Sequence, residues 1–221
     1  MVNTSSRSSD DAAMQVISVA ERLGREISPR LENGVSISHP GSGSIARKVI
    51  QLMTGQHPVR SFEGKAASLV GQVRDTHPTE RVDASVINFA LHNCNETQIQ
   101  ELLQHVQCTT NDGVVLILDY TLKGFSRDDA EILVRSKIEE KRILEYHGFA
   151  PWLEAHNKFS LDDLYAHAHD SGFRYISASP LHAGRGMVLA SNSHNLDAEA
   201  LVQNAEIVVR KPAMETPALV G

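Results

Sequence analysis

Cysteine is nearly absent from this chain: Cys94 and Cys108 are the only two among 221 residues. They sit fourteen positions apart across an expected helix, a span of about 20 Å at the helical rise. Neither a disulfide nor a two-thiol zinc site is therefore expected, and both read as ordinary buried or half-buried residues. No apolar run reaches the roughly 18 residues that a membrane-crossing helix needs. Basic residues are too few and too scattered to track a phosphate backbone. Lys and Arg total 21 against 27 Asp and Glu, for a net charge of -6, so nucleic acid is not the expected partner. The first twelve residues are polar and rich in Ser and Asp, without the charged-then-apolar pattern of a secretory leader. Taken together, these absences lead to a cytoplasmic, soluble protein with no membrane partner. No internal repeat is visible.

What is present is a strand-helix alternation long enough for one α/β domain with a real core. The most informative stretch runs from Asp83 through Val86, Ile87, Asn88, Phe89, Ala90, Leu91 and His92 to Asn93, followed by a helical run and then Asn111-Asp112-Gly113 before the apolar 114–118. It reads as strand, loop, amphipathic helix, turn and strand, one βαβ unit. Ligands of open parallel sheets lie outside the carboxyl ends of the strands, which places residues 88–93 where a ligand would sit. Upstream, 13–31 reads as a helix with Val16, Val19, Ala20 and Leu23 on one stripe. Then follow a strand at 34–38, a Gly-rich turn, a helix at 45–53, a strand at 59–63 and a helix at 66–73. Asn95 with Gln98, Ser126 with Asp129 and Ser160 with Asp163 have capping-box spacing and start further helices. The helix from Leu161 is expected to end at Gly172. Residues 173–179 and 186–190 read as a terminal antiparallel hairpin. The expected organisation is a disordered 1–12, a domain at 13–191 with a polar-aromatic insert at about 122–158, and a tail at 192–221 holding a short helix and a strand at 207–209. That tail leaves a homodimer open.

Over about 13–191 the chain resembles the class I S-adenosylmethionine-dependent methyltransferases. The resemblance rests on the element order and on local signatures. Residues 35–46 align with the family's first strand and Gly-rich loop, Glu63 with the acid ending its second strand, 83–93 with its fourth strand and loop, and Asn111-Asp112-Gly113 with the turn before its fifth strand. It implies a Rossmann-like α/β three-layer sandwich: a mostly parallel seven-stranded sheet, a C-terminal antiparallel hairpin and helices on both faces. It implies S-adenosylmethionine as cofactor, gripped by the loop His39, Pro40, Gly41, Ser42 and Gly43, with Glu63 and the following Gly64 at the ribose. Asp75 would accept from the adenine amino group, and Asn88, Phe89, Ala90 and Leu91 would run beneath the sulfonium. The chain departs from the pattern at two aligned positions: Ile37 replaces the first-strand acid and His39 the loop's opening glycine.

The residues themselves agree with this placement. A Gly-rich turn before a helix lets amides meet a carboxylate, and a strand-end acid can accept from both ribose hydroxyls. His92 is the sharpest catalytic candidate, because a neutral imidazole at the pocket floor can take a proton near neutral pH. Tyr120, just past the fifth strand of the family order, is the second. In the insert, His147, Trp152 and His156 are candidate substrate contacts. His167 and His169 are two apart on a helix and cannot share a face, so no metal site is expected.

The leading expectation is methyl transfer to a small-molecule acceptor, a metabolite or natural product, achieved largely by positioning and desolvation. Ile37 and His39 motivate the alternative of a methyltransferase-like protein that binds or scaffolds, or runs another reaction in the pocket. A nicotinamide oxidoreductase is disfavoured, because the third glycine of G-x-G-x-x-G is Ala46 here.

Overall fold

The computed structural model describes residues 9–26, 31–38, 43–75, 80–134, 143–181 and 183–193. Helix α1 (Ser9–Glu26) leads to strand β1 (Gly34–Ser38), followed by α2 (Gly43–Thr54), β2 (Val59–Glu63), α3 (Ala66–Arg74) and β3 (Val82–Asn88). A 3-10 turn (Leu91–Asn93) then precedes α4 (Glu96–Thr109) and β4 (Thr110–Tyr120). The insert carries α5 (Arg127–Val134) and α6 (Phe149–His156), and the chain continues through α7 (Leu161–Asp170), β5 (Tyr175–Leu181) and β6 (Arg185–Ser191). Helix α1 starts four residues before the expected edge of the disordered terminus.

The strands form one sheet in the order β2-β1-β3-β4-β6-β5. The pairs β1·β2, β1·β3 and β3·β4 are parallel, and β6 runs antiparallel to both β4 and β5. The described residues give six strands rather than the seven expected. A third parallel strand beyond β2 would need its own crossover back to β3, about a dozen residues or more. Only 75–81 separate α3 from β3. The expected helix at 198–204 and strand at 207–209 lie outside the described residues.

Two helical layers cover the sheet. On one face α1 and α2 bury Val16, Val19, Ala20, Leu23, Val49 and Ile50 against Ala84, Val86, Leu116 and Leu118. On the other, α3, α4 and α7 pack Leu69, Ile99, Leu103 and Leu164 against Ile37, Ile87 and Ile117. Each large side chain removed from water there contributes about 1.5–3 kcal/mol before conformational entropy is subtracted. The capping boxes at Asn95–Gln98 and Ser160–Asp163 both form, with backbone and side-chain bonds in each direction, and Gly172 ends α7 at φ +93°. Asp163 is held below the usual carboxylate range: partial burial pushes it up, but hydrogen bonds from Ser160 and Lys123 outweigh that.

The Asn111-Asp112-Gly113 segment is not a turn before the strand but a bulge inside it. Val82 pairs with Thr110 and Ala84 with Val114, so two steps on β3 face four on β4. Glycine is required there because a Cβ on Gly113 would lie 1.7 Å from the Asp83 carbonyl oxygen. Among the described residues no helix is long and apolar enough to cross a membrane.

Candidate active site

The carboxyl ends of β1, β2, β3 and β4 meet along one edge of the sheet. There the chain order reverses: β1 is followed by β2 on one side and later by β3 on the other, and their crossover helices cover opposite faces. Such a reversal opens a crevice between β1 and β3, the general ligand position of open α/β sheets. Ser38 ends β1 in register with Glu63 of β2 and Asn88 of β3. Glu63 is exposed, and Gly64 follows at φ +147°. Ser38 and Asn88 are wholly buried. The Ser38 hydroxyl has no hydrogen-bond partner among the described residues.

Of the expected cofactor loop, His39, Pro40, Gly41 and Ser42 lie outside the described residues, while Gly43 opens α2. Asp75 is not brought to this edge. It is the C-cap of α3, at the end of a helix that carries the chain back to the amino ends of the strands. Ile37 is fully buried in the core beside Leu69 and Val73.

Beyond Asn88 the chain makes an abrupt reversal. Phe89 adopts φ +49°, a left-handed conformation uncommon for a non-glycine residue and characteristic of functional sites. Its N–H still donates to the Leu118 carbonyl at 2.8 Å. Ala90 and Leu91 turn inward and are fully buried. The carbonyl of Ala90 accepts from the Asn93 N–H at 3.2 Å and that of Leu91 from the Cys94 N–H at 2.9 Å.

This turn delivers His92 onto Asp119, the penultimate residue of β4. The wholly buried carboxylate accepts from His92 Nδ1 at 2.7 Å and the Tyr120 N–H at 2.8 Å through Oδ1, and from the His92 N–H at 3.1 Å through Oδ2. Three donors on an acceptor-only group assign the Nδ1–H tautomer to His92. Nε2 is then the acceptor nitrogen, and the exposed Asn93 donates to it at 2.9 Å.

Aromatic rings surround this pair. Tyr120 lies 5.0 Å from Phe89, 5.4 Å from Trp152 and 4.7 Å from His156 between ring centroids. His156 also lies 4.7 Å from His92 and stacks on Trp152 at 4.6 Å, while its Nδ1 meets the Trp152 carbonyl at 2.7 Å. Arg185, nearly buried at the start of β6, places its guanidinium 5.5 Å from the Phe89 ring and 6.0 Å from that of Tyr120. Trp152 is fully buried within the insert's own core, yet its indole N–H has no partner among the described residues. His147 is exposed on the turn before α6, at φ +60°.

Three contributors escape the sequence reading: Asp119, Ser38 and Arg185. Asp119 left one signal, an acid closing an otherwise apolar strand. Cys94 is buried beside the pair, its thiol pushed up to about 11 by burial, against the lowering effect of Lys158, whose ammonium donates to the Cys94 carbonyl. Cys108, contrary to expectation, is exposed.

No protein-family model matches the chain, and no curated protein matches it. Solved structures do. The plantazolicin methyltransferase BpumL, in complex with SAH, is 12% identical with a TM-score of 0.51, the alignment covering 83% of this chain and 86% of that one. Human N-acetylserotonin methyltransferase, in complex with SAM, is 14% identical over 81% of this chain and 51% of its own, with a TM-score of 0.48. The pyocyanin biosynthetic protein PhzM is 13% identical over 78% and 54%, at 0.47. The chain thus spans about half the length of the latter two. The fold is the Rossmann-like one of class I methyltransferases.

Proposed function

We propose that this chain methylates a small-molecule acceptor, with S-adenosylmethionine as methyl donor and His92 as general base. The single observation carrying the reading is the buried His92–Asp119 pair beside the strand-order reversal. A fully buried carboxylate is costly unless its oxygens are occupied, and here two of the three bonds position one imidazole and the turn that bears it, while the third, from the Tyr120 N–H, fixes the carboxylate itself.

The residues present fit the cofactor. The exposed carboxylate of Glu63 can accept from a ribose diol, the start of α2 offers amides to a carboxylate, and the unpartnered Ser38 hydroxyl supplies a polar contact between them. The bound cofactor supplies an electrophilic methyl group on a sulfonium. Asp119 fixes the imidazole so that Nε2 faces Asn93 and can take the proton of an acceptor O–H or N–H as the acceptor atom bonds to the methyl carbon. Once bound, the cofactor would supply the methyl group and keep the carbon–sulfur bonding pair, and the proton taken up would leave His92 positively charged next to the Asp119 carboxylate. Tyr120 and His156 wall the acceptor side and exclude water, and the Trp152 indole offers a hydrogen-bond donor there.

Calorimetric titration with S-adenosylmethionine tests the cofactor, and a screen of small hydroxylated and amine acceptors tests transfer. His92→Ala should lower turnover by about 10²–10⁴, the usual weight of a general base, while cofactor affinity changes by less than about threefold. Equal losses in both would reduce His92 to a structural residue.

A further inference from the structure

Resting on that cofactor reading, we infer that Ser38 is the buried polar contact for the amino-acid end of the bound nucleoside, and that this site holds its ligand without selecting for the α-ammonium group. Strand β1 alternates strictly. Val35 and Ile37 enter the core under α3 and α4, which leaves Gly34, Ser36 and Ser38 on the α2 side. The close approach on that side is visible at Gly34, where a Cβ would fall 2.1 Å from the Ile50 side chain. Both serine hydroxyls are wholly buried and neither has a hydrogen-bond partner among the described residues. Buried hydroxyls are ordinarily bonded. Packing against α2 explains the small size of both residues, but alanine would serve that purpose equally well.

The two serines differ in height. Ser36 lies two residues below the strand tip, about 6.6 Å at the parallel-strand rise, beneath anything bound in the crevice. Ser38 is at the tip, flanked in register by Glu63 and Asn88 and followed by α2, whose first amides can hold a carboxylate. Among the described residues the strand tips hold two carboxylates. Asp119 is committed to His92 and Tyr120, and Glu63 is exposed on the neighbouring strand, where the cofactor reading sets the ribose. The inward position that the resemblance reserves for an acid is Ile37, which is packed in the core. Among the described residues a ligand ammonium here thus meets neutral oxygens and forgoes a charge-assisted bond, the kind roughly twice as strong as a neutral one, whereas a ligand carboxylate meets a hydroxyl donor and helix amides.

The test compares three probes by titration calorimetry: S-adenosylhomocysteine, its analogue lacking only the α-amino group, and 5′-methylthioadenosine, which lacks the amino-acid end entirely. The first two should bind within about threefold of each other, and the third at least tenfold more weakly. Ser38→Ala should weaken the first two by a similar factor, about 5–10-fold, as expected for one neutral hydrogen bond, and leave the third unchanged, while Ser36→Ala should leave all three unchanged. Ser38→Asp should restore preference for the ammonium by tenfold or more; if that variant melts in a circular-dichroism scan, the wild type and Ser38→Ala decide alone. A wild-type preference for the amino-bearing ligand above tenfold, or a Ser38→Ala variant with undiminished affinity, overturns the proposal. Failure of all three probes to bind removes the nucleoside reading itself, and the proposal with it.

Discussion

Replacing Asp119 by Asn exchanges one oxygen for an NH2 of nearly the same size and therefore isolates the bonding pattern of the central pair. Three donors converge on the carboxylate: His92 Nδ1 and the Tyr120 N–H on Oδ1, and the His92 N–H on Oδ2. An amide has one oxygen. Its better orientation keeps that oxygen at the Oδ1 position and turns the NH2 against the His92 N–H, so that two donors face each other without an acceptor. One buried donor left unsatisfied costs about 1–3 kcal/mol, and loss of charge assistance from the two surviving bonds adds roughly 1 kcal/mol. The expected destabilisation is thus about 2–4 kcal/mol in a domain whose total stability is on the order of 5–15 kcal/mol. Urea denaturation followed by circular dichroism should show it as a midpoint lowered by about 1–2 M, taking a slope of about 2 kcal/mol per M. In the folded variant the imidazolium formed on proton transfer no longer has a carboxylate beside it, so turnover should fall at least about tenfold, the equivalent of 1.4 kcal/mol, at unchanged cofactor affinity. A midpoint within about 0.3 M of wild type would refute the anchoring argument. Undiminished turnover would refute the base assignment separately.

Two further outcomes follow from the same geometry. Gly113→Ala forces a methyl group to within 1.7 Å of the Asp83 carbonyl oxygen. Since backbone is less able to yield than a side chain, a cost of about 2–3 kcal/mol is expected, lowering Tm by about 4–12 °C at 2–4 °C per kcal/mol for a domain of this size; a Tm within 1 °C of wild type would show that the bulge can open freely. At pH 8 a disulfide-exchange reagent should titrate one thiol per native chain, the exposed Cys108, and a second only in denaturant. The Cys94 thiol is pushed from 9.0 up to about 11 by burial, so the stability tied to its neutral form is complete below pH 9 and is lost as pH climbs toward 11. Rapid labelling of both native thiols at pH 8 would contradict this.

The parts of the fold legible in the sequence are those specified by local chemistry. Strands 34–38 and 59–63 agree residue for residue with the structure, because each is a short β-prone run fenced by Gly, Pro or charged residues. The boxes at Asn95 and Ser160 are local in the same sense: donor and acceptor lie three residues apart, so no tertiary information is needed. The strand count was not legible. Whether an edge strand exists depends on whether the chain has length enough to leave the edge and return, and that quantity appears only when 75–81 is measured against the distance from α3 back to β3.

The same distinction orders the site. Trp152 and His156 are four apart, so once α6 forms they share a face and meet the rings beyond it; His147 precedes Gly148, whose φ of +133° redirects the chain before the helix begins, and it stays outside. Asp119 could not be matched to His92 from spacing, because their contact depends on Phe89 entering left-handed φ, a conformation its side chain does nothing to advertise. Asp75 illustrates a constraint that the sequence did contain. In any parallel βα unit the helix runs back from the strand tips, so a residue at the helix's carboxyl end lies a full strand length from the crevice. A carboxylate at the crevice must therefore stand at the carboxyl end of a strand, as Glu63 and Asp119 do, or belong to the turn that follows it.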